Sequence, residues 1–237
     1  MILKTVLNQF ASDILRAFPQ GRVIVPSERE FEFSHRKTFI VKVQTGSYDA
    51  VVLSNEQFSR IPLTKEREEE IIQDELEAIT SARIVALANK GKTATVKQLV
   101  SLEKNAKERL KKLQTKKDES PITFESTGID FLFVDEAHNF KNLSFQTNIS
   151  DVKGINTTGS QRSSDLLGKV RYLQEMQGGG GVVFATGTPI SNSMAEMYTM
   201  MKYLMPEELK QYGIGNFDEW ASVFGEMETN LSFFKIP

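Results

Sequence analysis

The sequence predicts an α/β domain of the doubly wound type, with a mainly parallel sheet and an inserted antiparallel helical hairpin. Apolar runs without alternation, such as "FLFVD" and "GVVFAT", are typical of parallel strands covered on both faces. Helical patterns at 160–177 and 193–204 separate or follow these runs, and such alternation favours a doubly wound sheet. A highly charged stretch at 64–117 interrupts the alternation and predicts the hairpin.

The elements before the charged stretch alternate between helix and strand. "LKTVLNQFASDILRAFP" is predicted to be a helix that stops at Pro19. Its apolar residues at helical spacing are Val6, Phe10, Ile14 and Leu15. "RVIVP" is predicted to be a short buried strand, "SHRKTFIVKVQTG" a helix closed by Gly46, and "YDAVVLS" the next strand.

The charged stretch has an acidic half and a basic half. Residues 64–89 hold seven acidic and three basic side chains, and residues 90–117 hold ten basic and two acidic ones. An apolar stripe on each half predicts two long antiparallel helices packed stripe to stripe. The stripes are Ile72, Leu76 and Ile79, and Val96, Leu99, Ala106, Leu110 and Leu113. Either the opposite charges face each other across the seam, which we favour in a slightly acidic chain, or the basic helix follows a phosphate backbone.

Composition limits the class of protein. The 237 residues are 40% hydrophobic with a net charge of −2, so the chain can form a substantial core and is not uniformly basic. Without cysteine, and with only His35 and His138, it is not expected to hold a thiolate or histidine-rich metal site. No apolar run is long enough for a membrane span, so we expect a cytoplasmic protein. We divide it into a first part of an α/β lobe (1–63), the hairpin (64–117) and a second part of that lobe (118–237).

One segment imitates a phosphate-binding loop. "ALANKGKTAT" contains Gly91-Lys92-Thr93, but the first glycine of the motif would fall at Ala86, and the segment joins two helices rather than a strand and a helix. Gly91 is better explained as a helix C-cap and Thr93 as the next N-cap. The glycines at 178–181 lack a following Lys-Ser/Thr and are predicted to be a turn.

The strongest chemical signal is acidic. Asp135 ends the apolar run "FLFV" and Glu136 follows it, so both carboxylates are predicted at the carboxyl edge of the sheet, where α/β domains bind ligands. In phosphoryl-transfer sites an aspartate at this position holds Mg²⁺, and a neighbouring carboxylate orients or deprotonates the attacking water. The alternative is a solvated acidic loop.

These residues carry a resemblance to a known family. "VDEAHNFKN" resembles motif II of superfamily-two helicases, specifically the Swi/Snf-like DNA translocases, and "VVFATGTPISNS" is similar to their motif III. "YLMPEELKQYGIGNFDEWASVFGE" resembles the end of their first motor lobe, and "YDAVVLSNEQF" resembles motif Ib. The pattern is also similar to the large helicase-like proteins of phages and integrative elements, which often carry a DNA methyltransferase region. The resemblance implies a RecA-like lobe.

The resemblance also implies residue roles. Asp135 would be the magnesium carboxylate and Glu136 the catalytic one, with His138 as a relay toward motif III. The turn of Thr186, Gly187 and Thr188 would couple the nucleotide site to nucleic acid. The residues implied near nucleic acid are Ser54, Lys141 and Asn142. For the histidine and the turn, ordinary structural roles stay open, since Gly-Thr-Pro is good turn chemistry by itself.

The expected function follows from what is present and what is missing. The motif that cradles phosphates and the second motor lobe are not found in the sequence. We therefore expect part of the ATPase motor of a double-stranded-DNA translocase, with ATP and Mg²⁺ as cofactors of the complete protein. Its partners would be DNA, an upstream phosphate-loop segment and the second lobe. The alternative is a non-catalytic nucleic-acid or protein interaction module with an incomplete nucleotide site.

Overall fold

A computed structural model describes residues 1–88, 93–115, 122–147, 149, 159–191 and 193–226. The strands are β1 (Val23–Ile24), β2 (Ala50–Val51), β3 (Leu132–Asp135) and β4 (Val182–Ala185). The helices are α1 (Leu7–Ala17), α2 (Phe33–Thr45), α3 (Asn55–Ser59), α4 (Lys65–Ala88), α5 (Thr93–Thr115), α6 (Gln161–Met176), α7 (Ala195–Leu204), α8 (Pro206–Gln211) and α9 (Phe217–Phe224). The α/β class is therefore as predicted. None of the helices in these ranges has the length and apolar character needed to cross a bilayer.

All strand pairing is parallel in the described chain. β1 pairs with β2, and β3 pairs with β4. The first two residues lie between these ladders. Ile2 donates to the carbonyl of Leu53, while the amino nitrogen of Met1 donates to the carbonyl of Phe133 and Asp135 N donates back to Met1 O. The two short ladders are thus linked by hydrogen bonds in one parallel arrangement.

The main core lies on one face of this arrangement, against α2, α3 and α6. Leu132 and Val134 point into it from β3, where they meet Leu166, Val170 and Leu173 of α6. Lys169 is also fully buried on α6; its ammonium donates to Asp165 at 2.7 Å and to the Phe58 carbonyl at 2.9 Å. Burial lowers the pKa of Lys169, and the nearby Asp165 carboxylate partly opposes this effect.

The opposite face is covered only in part, which corrects the prediction of strands buried on both sides. Helix α1 packs through Leu7 and Ala11 against Ile2 and Val52. Where β3 and β4 continue this face, Phe131, Phe133 and Val183 are 46%, 61% and 42% exposed. The run "FLFVD" therefore alternates in burial although it does not alternate in polarity.

The predicted apolar side of α1 is buried only in part. Val6 and Ile14 pack against the cluster of Leu7 and Ala11, as predicted, whereas Phe10 and Leu15 are exposed. Gly46 ends α2 as predicted, but in an extended rather than left-handed conformation. Glycine is favoured there because a Cβ would lie 2.7 Å from the Lys42 carbonyl oxygen and would also meet the Tyr48 ring.

The hairpin consists of α4 and α5, which pack along most of their length. Their seam is apolar, with Ile79, Ala86, Leu99 and Ala106 buried. Most of the two predicted stripes thus forms the contact between the helices, through Leu76, Ile79, Val96, Leu99 and Ala106. Gly91 lies outside the described residues, and Thr93 is the first residue of α5 rather than its cap. The domain boundaries on either side of the hairpin stay predictions.

The base of the hairpin is attached to the rest of the chain. The Glu125 carboxylate accepts from the backbone nitrogen and hydroxyl of Thr64, just before α4. Arg67 donates two hydrogen bonds, at 2.8 and 2.7 Å, to Glu175 on α6. These contacts fix the start of α4 against α6.

The last three described helices form an aromatic cluster of their own. Tyr198, Phe217 and Trp220 are buried against Phe145, and the Tyr198 hydroxyl donates to the Gly215 carbonyl at 2.7 Å. The cluster packs beside the chain that leaves β3. It therefore helps to position the segment that follows the acidic motif of Asp135 and Glu136.

Candidate catalytic site at the end of strand β3

Asp135 is the last residue of β3, at the carboxyl end of the parallel strands. Its backbone is held on both sides, since Asp135 N donates to Met1 O at 2.9 Å and the residue lies opposite Ala185 of β4. The register places its side chain on the same face as Phe133. The carboxylate is half-buried. The backbone of Asp135 is therefore fixed at the sheet edge, and its side chain lies on the uncovered face.

Glu136 turns the chain out of the sheet. Its φ of 52° and ψ of 47° are left-handed, the one such conformation among described residues other than glycine. The turn is held by Asn139, whose backbone and side-chain nitrogens both donate to the Glu136 carbonyl at 3.0 Å. Buried Ala137 and Phe140 then anchor the short 3-10 helix Ala137–Phe140. The two adjacent carboxylates consequently leave the strand in different directions.

His138 joins the acidic motif to the end of β4. Its Nδ1 lies 3.0 Å from Glu136 Oε2 and 3.2 Å from Thr186 Oγ1. The Thr186 hydroxyl also accepts from Thr188 N at 3.2 Å. One imidazole nitrogen is thus shared between a carboxylate and a hydroxyl from two neighbouring strands. A movement at either side chain would change the hydrogen bonding of the other.

The turn after β4 is open to solvent. Gly187, Thr188 and Pro189 are exposed, and a Cβ added at Gly187 would meet nothing within 4 Å. A side chain at position 187 would therefore meet no steric obstacle. Asn192, which belongs to the same motif, lies outside the described residues.

Lys141 is turned inward rather than toward a ligand. Its ammonium lies 2.9 Å from Glu196 Oε2 and 3.1 Å from Ser191 Oγ, and Ser191 N donates to the same Glu196 oxygen at 2.6 Å. These contacts join the segment after β3 to the first turn of α7 and to the segment just before it. Asn142 is exposed, and its carbonyl accepts from Ser160 N at 2.8 Å.

Ser54 is buried as the N-cap of α3. Its hydroxyl accepts from Gln57 N and its backbone nitrogen donates to the Gln57 side chain, which forms a capping box. Asn55, which the sequence did not single out, is 6% exposed, and neither side-chain polar atom has a hydrogen-bond partner in the structure. The predicted contact of Ser54 with nucleic acid would therefore have to be made by the surface around the start of α3.

A cleft of about 270 Å³ opens beside Ser54 and Asn55. Its other polar lining residues are Lys4, Glu56, Ser59, Asn139 and Arg162. The exposed Arg162 guanidinium lies 4.5 Å from the centre of the Phe140 ring. Asn139 thus contacts the turn at Glu136 and also lines this cleft, a connection that no sequence spacing indicates.

The comparison with protein families gives the class of the chain. The model of a family described as "Probable helicase domain" matches residues 1–235. The chain belongs to this helicase-domain family. The helicase domain is also similar to "Defense against restriction protein B" of Escherichia phage P1, with 31% identity over 189 residues. That alignment covers 76% of the helicase domain and 8% of the phage protein, so the chain spans less than a tenth of this relative's length. No solved structure matches.

Proposed function

We propose that this helicase domain supplies the water-activating and coupling residues of an ATP-driven DNA translocase of the Swi/Snf-like, superfamily-two class, with a RecA-like fold. The observation that carries the proposal is the His138 contact, which connects the Glu136 carboxylate at the end of β3 to Thr186 at the end of β4. A motor needs such a connection because hydrolysis must be communicated to the segment that holds its track.

The residues present fit a magnesium ion shared with a nucleotide. No group of three or more acidic or histidine side chains in the described part of the chain could hold a metal by itself. Mg²⁺ does not require one, because it is commonly bound by one or two carboxylates together with substrate phosphates and water. Asp135 would supply that carboxylate, and the ion would neutralise the charge that develops on the phosphates.

Glu136 would act on the attacking water. A carboxylate within hydrogen-bond reach can orient the water and accept its proton. Its side chain already contacts His138, so its orientation is fixed by the neighbouring residue rather than by solvent alone. Thr186 would sense the state of this pair through the same imidazole.

A further segment of a longer protein would complete the site. No described strand pairs with the outer edge of β4, and Phe131, Phe133 and Val183 leave the adjoining face exposed. An added strand and helix carrying a phosphate-binding loop would pair with that edge and cover that face. The same face bears Asp135, so the phosphates would arrive beside the magnesium carboxylate.

DNA would bind across the sheet edge, between this domain and a second motor lobe. The cleft lined by Asn55, Asn139 and Arg162 supports this placement, because amides and a guanidinium are suitable partners for phosphate oxygens. Because the similar protein belongs to a phage, we further propose that the longer protein acts on the DNA of a mobile element.

The test is ATP hydrolysis by the longer protein that contains this domain. Glu136→Gln should retain nucleotide binding and lower DNA-stimulated turnover by about 100-fold or more. Glu208→Gln, which changes an exposed carboxylate of α8 away from the site, is the matched control and should turn over normally. Normal turnover in Glu136→Gln would refute the assignment. The isolated 237-residue chain should show no turnover.

A second candidate is a non-catalytic interaction module. It is favoured by one observation, since the described residues include no phosphate-binding loop while the hairpin presents a dense row of charges. The two candidates differ in the longer protein. A module would bind its partner without nucleotide, and Glu136→Gln would change nothing.

A further inference from the structure

Among the described residues, the ion pairs across the seam of the hairpin are made by arginines. Arg109 of α5 lies 2.9 Å from Glu75 of α4, and Arg83 of α4 lies 3.1 Å from Glu103 of α5. Another α4 carboxylate, Asp74, pairs with Arg171 of α6. These contacts remove the reason for expecting the α5 lysines to balance the acidic helix.

The α5 lysines pair only within their own helix, as far as the described residues extend. Lys107 donates to Glu103 at 2.6 Å, and Lys104 lies 4.0 Å from Glu108. Both lysine side chains are more than 60% exposed. No described residue forms an ion pair with Lys97, Lys111 or Lys112.

Helix geometry turns most of these lysines away from α4. Lys97, Lys104 and Lys111 recur every seven residues, and Lys107 lies between them on the same side. The packed residues Leu99, Ala106 and Leu113 follow the same period, displaced by two residues, or about 200° around the helix. The lysine row is therefore opposite the seam. It extends over about 21 Å, at about 1.5 Å per residue.

We propose that this lysine row, formed by Lys97, Lys104, Lys107 and Lys111, is a nucleic-acid contact surface that follows a phosphate backbone. Lysine is a strongly hydrated point charge on a flexible stem, which suits contacts that do not depend on base sequence. The described part of α5 carries six basic and two acidic residues, and one of the acidic residues, Glu103, is held by Arg83 and Lys107. The row thus presents a positive strip to a polyanion.

This inference depends on the proposed function only for the identity of the polyanion. A motor that tracks DNA benefits from a second, sequence-independent contact away from its sheet edge, because such a contact keeps the track bound while the nucleotide site opens. The hairpin is held at its base by Thr64–Glu125 and Arg67–Glu175, so force on the row would pass to α6.

Adjacent lysines on α5 provide a matched comparison. Lys111 belongs to the row, whereas Lys112 lies about 100° away and lines a cavity between the hairpin and the rest of the chain. Lys111→Gln and Lys112→Gln remove the same charge, one residue apart. Glutamine keeps the helix propensity of lysine, so the fold should be unchanged in both.

The experiment measures the affinity of the longer protein, and of its variants, for random-sequence duplex DNA across a series of salt concentrations. Lys111→Gln should reduce the slope of log affinity against log salt by about 0.9, and Lys112→Gln should leave it nearly unchanged. The quadruple variant Lys97/Lys104/Lys107/Lys111→Gln should lose a slope of about 3 or more. A control with equal charge loss, Arg16/Arg29/Lys37/Lys210→Gln, should keep the original slope.

Three outcomes would overturn the proposal. An unchanged slope in the quadruple variant would make the row a solvated face. Equal effects of Lys111→Gln and Lys112→Gln would indicate a general charge effect. Polyglutamate that binds through the same four lysines as tightly as DNA would indicate an acidic protein partner. Failure of the proposed motor would be seen separately, as a loss of the Glu136→Gln effect on hydrolysis with the salt slopes intact.

Discussion

The ammonium of Lys141 lies 2.9 Å from the carboxylate of Glu196, with the two side chains only 7% and 12% exposed. The pair connects the segment that follows Asp135 and Glu136 to the first turn of α7, fifty-five residues further along the chain. A buried pair of this kind fixes geometry, because removing one partner leaves the other without compensation.

Lys141→Met should lower the free energy of unfolding by about 2–4 kcal/mol, since the largely buried Glu196 carboxylate would lose the Lys141 ammonium. Lys141→Met/Glu196→Gln should recover part of that loss. Lys210→Met removes an ion pair whose side chains are more than 70% exposed, and should cost less than about 0.5 kcal/mol. Chemical denaturation measures all three. A direct phosphate contact would instead appear as a lower salt slope of DNA binding, which we do not expect.

Thr186→Val in the longer protein should separate movement from hydrolysis. Valine keeps the size and removes the hydroxyl that contacts His138 and accepts from Thr188 N. We expect translocation to fall about tenfold while basal ATP hydrolysis changes much less. Thr188→Ala is the comparison variant, because it removes the Thr188 hydroxyl and keeps the hydrogen bond from Thr188 N to the Thr186 hydroxyl. If Thr188→Ala alone impaired movement, the exposed hydroxyl would be the coupling group instead.

Phe133→Thr tests the covering of the exposed face. In the isolated chain the ring is 61% exposed, so the free energy of unfolding should change by less than about 0.5 kcal/mol. In the longer protein, where we propose that a helix covers the ring, the same change should cost about 1.5–3 kcal/mol. Val134→Thr, on the buried face, should destabilise both forms. Equal small effects of Phe133→Thr in both would contradict the proposed segment.

Lys202 predicts a pH dependence of stability. Burial, with a smaller effect of Arg171, lowers the pKa of Lys202 from 10.5 to about 8, against the opposing effects of Glu75 and Asp74. Between these values the unfolded chain binds a proton that the folded chain has lost, so stability rises with pH. We expect wild type to gain about 1–2 kcal/mol over Lys202→Met between pH 7.5 and 9.5. The range ends there because burial raises the pKa of Tyr198 and Tyr203, which ionise more readily when unfolded. Parallel curves for the two proteins would exclude this linkage.

The long helices and the class of fold could be predicted because their signals are local. The stripes on α4 and α5 and the apolar runs of β3 and β4 each lie within a short window. Which face of a strand is covered depends on distant parts of the chain, so no local signal indicates it. Phe131 and Phe133 are as apolar as Leu132, and only the packing of α6 on one face and α1 elsewhere on the other distinguishes them.

The side chains of the candidate site show the same limit. Asp135 and Glu136 could be predicted from their place at the end of an apolar run. The contact between His138 and Thr186 could not, because these residues lie 48 positions apart. Lysine and serine often contact ligands, but here both residues make internal contacts. Lys141 pairs with Glu196, and Ser54 caps α3. The burial of Lys169 beneath α3 also depends on a carbonyl 111 residues away, which no pattern around it indicates.

The left-handed backbone of Glu136 has a consequence for how this domain can be improved. That conformation costs a residue with a Cβ about 1–2 kcal/mol, and it costs glycine or asparagine less. Laboratory evolution that selects only for heat resistance would therefore favour Glu136→Gly or Glu136→Asn, and would remove the carboxylate while making the protein more robust. Under the proposed role of Glu136, thermal stability and ATP hydrolysis would therefore compete at this one residue.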